Sequence, residues 1–158
     1  MTILLTNDDG IDAPGLGALR DAVSKIADVM VVAPETEMSA VGHAITLSDP
    51  LQIKKRYKND EFYGYAVNGT PADCVKIGYW ALLRDKPKPD LLISGINQGS
   101  NTGINVIYSG TVSAATEGAI LGIPSIAMSL TSYTHKDFSV AARFACNLAQ
   151  TVAEHPLP

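Results

Sequence analysis

The sequence predicts a three-layer, mostly parallel, doubly wound (Rossmann-like) α/β sheet carrying a peripheral β-hairpin, and three observations carry that expectation. Short apolar runs without polar alternation recur at 2–6, 29–33, 91–94 and 123–128, the pattern of strands buried on both faces. Between them lie segments whose apolar residues recur at helical spacing. The order of strand, helix, strand, hairpin, helix, strand, helix, strand, helix is that of a layered, mainly parallel fold.

Each element has its own local reason. After the first strand comes Asn7-Asp8-Asp9-Gly10, and Asp12 is placed to cap a helix that takes Pro14 in its first turn and buries Leu16, Leu19, Val23 and Ile26. Pro34 ends the second strand. Leu51 to Tyr57 and Phe62 to Val67 read as a hairpin whose Lys54, Lys55 and Arg56 keep an edge soluble. Thr70-Pro71-Ala72-Asp73 is a capping box that opens a helix through Val75, Tyr79 and Leu82 to about Arg84, with Tyr79 and Trp80 expected in the core. Ser109-Gly110-Thr111 opens the next helix, expected to pack through Val112, Ala115, Ala119 and Ile120. Asp137 caps the last, with Ala141, Phe144, Ala145, Leu148 and Val152 on its inner side. The stretch from Gly95 to Asn105 spaces Gly95, Gly99 and Gly103 four residues apart, as a loop needing positive φ and close backbone approach would.

Bulk properties narrow the function. A chain of 158 residues with 46% hydrophobic and 18% charged content suits one domain spanning 1–158 with a substantial core. A net charge of −4 offers no general attraction to nucleic acid or an anionic membrane, so neither is expected as a partner. The first apolar run stops at Asn7 and has no preceding Lys or Arg, unlike a signal peptide or a span, so a cytoplasmic location is the default. Cys74 and Cys146 stand alone on helical segments and read as reduced, buried thiols.

The chemistry follows from topology. In an open parallel sheet, ligands collect at the carboxyl ends of the strands. That edge would receive Asp8 and Asp9 from the first strand, Ser39 from the loop after the second, Asn97 from the third, and the N-terminus of the helix begun at Ser109. Any one of these is an ordinary turn residue, and only their convergence is informative. Two carboxylates, a hydroxyl and an amide oxygen are hard donors suited to Mg²⁺ or Mn²⁺. Ser109, Gly110 and Thr111 form an anion cradle suited to phosphate. Two unit charges ~4 Å apart repel by about 4 kcal/mol at an effective dielectric of ~20, so the acidic pair would reject a phosphate dianion without a cation. With one, water activation for in-line hydrolysis becomes available, and no covalent phosphoenzyme is expected. Asp8 or Asp9 also has the chemistry of a base, with ligation the simpler role. His43 has either an acid or phosphate-donor role or none; His135 and His155 read as surface, and Asp73 as a cap.

Three other motifs fail. Gly10 and Gly15 have the first spacing of a P-loop, but Leu16 stands where its lysine belongs. The glycines at 10, 15 and 17 miss the dinucleotide pattern. A response-regulator receiver would need an aspartate ending the third strand, where Asp90 begins it, and a lysine after 123–130.

The motifs taken together, Ile3 to Gly15, Ser39 with Ala44 to Leu47, Gly69 to Val75, Ser94 to Asn97, and Ser109 to Ala115 followed by Glu117-Gly118, resemble the SurE family of survival-protein 5′-nucleotidases. The likeness covers essentially the whole chain. It implies a metal-dependent phosphatase acting on nucleoside 5′-monophosphates, with 3′-nucleotides or short polyphosphate as further substrates of some members. Carried over by motif, Asp8, Asp9, Ser39 and Asn97 bind one divalent cation, and Ser109, Gly110 and Thr111 lie near the substrate phosphate. The resemblance also implies a homodimer or homotetramer and a further C-terminal segment past Pro158 that this chain lacks. The competing expectation is a nucleotide-binding or regulatory module without turnover.

Overall fold

The computed structural model describes residues 1–155, and the sequence Pro156–Pro158 lies outside them. Six strands form one sheet in the order β3-β4-β2-β1-β5-β6. β1 (Thr2–Thr6), β2 (Asp28–Pro34), β5 (Leu91–Gln98) and β6 (Ser125–Leu130) run parallel, with Ile3 beside both Val29 and Leu91. β3 (Ile53–Lys58) and β4 (Glu61–Val67) form the hairpin, and β4 continues the main sheet by pairing parallel to β2. The chain therefore builds outward from β1 through β2 to one edge, then returns to β1's other side to lay down β5 and β6.

The pleat divides the core in two. Ile3 and Leu5 of β1 join Val31, Ile93 and Met128 beneath helices α1 (Pro14–Val23) and α5 (Ser139–Glu154). Leu4 faces the other way, with Val32, Val67 and Leu92, under α2 (Pro71–Ile77) and α4 (Gly110–Ile120). This is the predicted three-layer arrangement. α2 has the expected capping box between Thr70 and Asp73, then widens into a π-type turn over Gly78–Leu82. A four-residue helix not expected from sequence, α3 (Asn105–Tyr108), begins where the expected Gly95–Asn105 loop ends.

Several expectations are corrected. Asp12 does not cap α1; Ala13 holds that position without a side-chain bond, and Asp12 pairs with Arg56 of β3. α4 buries Ser113, Ala114, Glu117 and Gly118, leaving Ile120 67% exposed. α5 likewise turns Ala142, Ala145, Ala149 and Val152 inward and Phe144 outward. At Gly118, α4 lies so close to the sheet that only a residue without a side chain fits. A Cβ on Gly118 would stand 2.4 Å from Ser125 Oγ. Trp80 is exposed, and Tyr79 is half-buried with its ring edge-on to it. β6 is the sheet's edge among the described residues and is mostly half-buried, where the apolar run predicted full burial. Asp137 accepts from Ser139 N at 2.8 Å, so it caps α5 from one residue outside the formal cap, Phe138. Cys74 is buried, Cys146 is half-buried, and neither is in a disulfide.

Candidate active site

The site lies where the chain reverses direction across the sheet, at the carboxyl ends of β1 and β5, the place an open α/β sheet offers a ligand. The turn after β1 is closed by Asn7 Nδ2 donating to Gly10 O at 2.8 Å. It is then stitched to three other elements. Thr111 donates its backbone N–H and its hydroxyl to the Asp8 carboxylate, at 3.0 and 2.5 Å. Met38 N donates to Asp8 O at 2.7 Å, and Gln98 N reaches Asp9 Oδ2 at 3.3 Å. The helix start comes this close because residue 110 is glycine, for a Cβ there would stand 2.7 Å from that of Asp8.

A cavity of about 450 Å³ opens at this edge, and Asp8, Asp9, Ser39, Asn97 and Ser109 all line it. Topology thus brings together five of the seven residues singled out from sequence. Gly110 and Thr111 are buried behind Asp8 and do not line the cavity, and both Thr111 donors are engaged by that carboxylate. Ser109 caps α4 by accepting from Val112 N, which leaves its O–H free to donate.

The donor chemistry fits a hard cation. Asn97 spends its amide NH₂ on Gly99 O at 2.8 Å, leaving the amide oxygen as its free acceptor. Ser39 donates its hydroxyl proton to Glu37, so the oxygen's lone pairs are available. Burial, and then the neighbouring Asp8 charge, push the Asp9 carboxyl up to about 6, against the opposing Gln98 N–H and with a further upward push from Glu37. Among the described residues no three His, Cys, Asp or Glu are grouped to hold a metal, in keeping with a set built on two carboxylates and two neutral oxygens.

Sequence reasoning missed Glu37, two residues before Ser39, which adds a third carboxylate to the wall. It also missed the exposed rings of Tyr108 and Tyr133 at the rim. Nothing in their spacing marked the tyrosines, whereas an acid beside a candidate serine was a readable signal. His43 does not reach the cavity; its Nε2 lies 2.8 Å from Glu117 Oε2. Gly95, Gly99 and Gly103 all have the expected positive φ, but the expected loop starts later, because β5 runs on through Gln98 and takes in Gly95, and Gly103 stands in open space without the expected close approach.

Fold and site together define a doubly wound α/β protein with an oxygen-donor cavity at its topological switch point. The chain belongs to the survival protein SurE family, whose model matches residues 3–158. It is 55% identical over its whole length to the 5′-nucleotidase SurE of Syntrophobacter fumaroxidans and 59% identical over 98% of it to that of Syntrophus aciditrophicus. The SurE protein from Aquifex aeolicus has the same fold, with a TM-score of 0.91, 45% identity and all of this chain covered. The chain spans 62%, 58% and 62% of these three proteins respectively. No helix among the described residues is long and apolar enough to cross a membrane.

Proposed function

We propose that the protein hydrolyses nucleoside 5′-monophosphates with the help of one divalent cation, Mg²⁺ or Mn²⁺. The observation that carries this is the meeting of Asp8 and Asp9 from the end of β1, Asn97 from the end of β5 and Ser39 from the loop after β2 on one cavity that Ser109 also lines. The relatives named as 5′-nucleotidases supply the substrate class, which cavity geometry does not. Asp8, Asp9, Ser39 and Asn97 would hold the cation, which when bound supplies Lewis acidity to a phosphoryl oxygen and to a water.

The chain's own groups do the rest. Ser109, Gly110 and Thr111 stand where a substrate phosphate would meet the start of α4: Ser109 offers its hydroxyl, Gly110 lets the backbone come close, and Thr111 acts through Asp8 by fixing its carboxylate. Asp9 and Glu37 are the carboxylates placed to take a proton from an attacking water. The further substrates (3′-nucleotides or short polyphosphate) and the homodimer or homotetramer implied by the family belong to the same proposal, as does the cytoplasmic location taken as the default from the N-terminal sequence.

Phosphate release from AMP and GMP tests it, with Mn²⁺ or Mg²⁺, with and without chelator, on wild type and Asp9→Asn. The expected result is release that needs the cation and is lost in the variant. Release that survives both would overturn the metal mechanism, and nucleotide binding without release would identify a binding module.

A further inference from the structure

Ser39 is the one proposed ligand that sits on neither a strand end nor a helix. It belongs to a stretch, 35–52, that crosses from β2 to β3 without helix or strand. Loops of that length inside a compact fold need external fastening to hold a side chain in place. This one is fastened at a series of points. Met38 N binds Asp8 O, and Gly42 N binds Tyr108 O at 3.0 Å. His43 meets Glu117; Thr70 Oγ1 donates to Ala44 O at 2.7 Å; Thr46 donates its N–H and hydroxyl to Asp73.

Two of those points are buried carboxylates on the helices below, and neither touches the cavity. Asp73 is 2% exposed and already serves the cap of α2. Glu117 is 3% exposed, in the middle of α4, where a charged side chain is out of place unless it is paired. Lys76 of α2 reaches its Oε1 at 2.6 Å and His43 its Oε2 at 2.8 Å. Because a carboxylate can only accept, the His43 Nε2 carries the proton of that bond. The two bonds differ in what they join. Lys76 ties α2 to α4, a contact within the scaffold, whereas His43 ties the Ser39 loop to α4.

From this difference we infer that His43 and Glu117 form a latch that positions Ser39 for the cation, making both of them positioning residues of the site. Three residues separate Ser39 from His43, and Ala40 among them adopts positive φ. Without the latch, the Ser39 segment is held on one side by Met38 and on the other by backbone at Gly42, the next fastenings lying further from Ser39 at Ala44 and Thr46. Ser39 then samples positions away from Asp8, Asp9 and Asn97, and the cation loses one of its neutral oxygens. Outer partners of metal ligands typically control affinity by about 10- to 100-fold. The inference rests on the reading of Ser39 as a ligand.

The test compares His43→Ala with Lys76→Met, which break different bonds to the same carboxylate, on the full chain. Mn²⁺ binding is read by titration calorimetry, and amide hydrogen exchange over 39–43 is read in chelator. His43→Ala is expected to weaken Mn²⁺ binding about tenfold and to speed exchange over 39–43; Lys76→Met is expected to leave both within about twofold of wild type. His43→Gln, which can still donate to Glu117, should recover part of the loss. Equal effects of the two variants would reduce the cluster to general stabilisation and overturn the latch, as would a His43→Ala protein unchanged in exchange. If wild type bound no Mn²⁺, the cation reading would fall, and the exchange comparison would still decide whether the latch exists.

Discussion

Thr111→Val isolates the contact that fixes Asp8. Thr111 is fully buried, and valine matches its shape, so the change removes one hydroxyl and little else. What is lost is the 2.5 Å bond to Asp8 Oδ1; the 3.0 Å bond from the Thr111 backbone N–H to Oδ2 is untouched. Hydrogen bonds to charged groups contribute roughly 1.5–3 kcal/mol, and Asp8 is only 7% exposed, so water replaces the missing donor poorly. For a protein of this size each kcal/mol moves the melting temperature by about 2–4 °C, which places the expected loss at roughly 3–12 °C. Thermal unfolding in chelator measures it without interference from cation binding. Thr111→Ser keeps the hydroxyl and should retain most of the stability despite losing a buried methyl. If the valine variant melts within about a degree of wild type, or the serine variant falls as far as valine, then Thr111 does not hold Asp8 in the way described.

Two further outcomes follow from the same site. Because the Asp9 carboxyl in the folded protein lies at about 6, above its ordinary 3.8, folding favours its protonated form; that contribution is complete below pH 3.8 and lost as pH rises through 6. In chelator, Asp9→Asn should therefore be the more stable protein above pH 6, by about 1 kcal/mol after allowance for solvent screening, and the gain should vanish towards pH 4; denaturant melts at both pH values check the sign. Gly110→Ala drives a methyl to 2.7 Å from the Asp8 Cβ and 3.1 Å from Pro71 Cγ, so it should cost about 1–3 kcal/mol by overpacking and weaken Mn²⁺ binding together with stability. An alanine variant with wild-type melting and Mn²⁺ affinity would contradict that close approach.

Much of this site was readable from residue order because parallel strands deliver their carboxyl ends to one edge. Asp8, Asp9 and Asn97 follow from that rule and from Gly and Pro punctuation alone. Ser39 needed only the knowledge that its loop leaves the same edge. Glu117 was hidden by the criterion used to choose the inner face of α4. Counting apolar residues selects Val112 and Ile120, but this helix packs by size, with Ser113, Ala114 and Gly118 against the sheet, and a carboxylate shares that face only because Lys76 and His43 meet it there. α5 misled in its rotation: the inner side carries Ala142, Ala145, Ala149 and Val152, which puts Phe144 on the outer one. Trp80 reads as core by its chemistry but stands 63% exposed within the π-type turn. The part Thr111 plays in holding Asp8 depends on atomic neighbours more than on pattern, and no spacing announces it, whereas Glu37, two residues before Ser39, could have been read.

The bonds between Asp8 and Thr111 join positions 103 residues apart. A ribosome adding about 5–20 residues per second delivers the second partner roughly 5–20 s after the first. Throughout that interval the nascent chain carries an Asp8 carboxylate without the two Thr111 bonds that fix it, and the order of synthesis delays the site until β5 and α4 have joined β1. A cation that binds only the assembled edge then shifts the balance between folded and unfolded chains by mass action, so supplying or withholding it late in folding should alter the yield of native protein far more than doing so early.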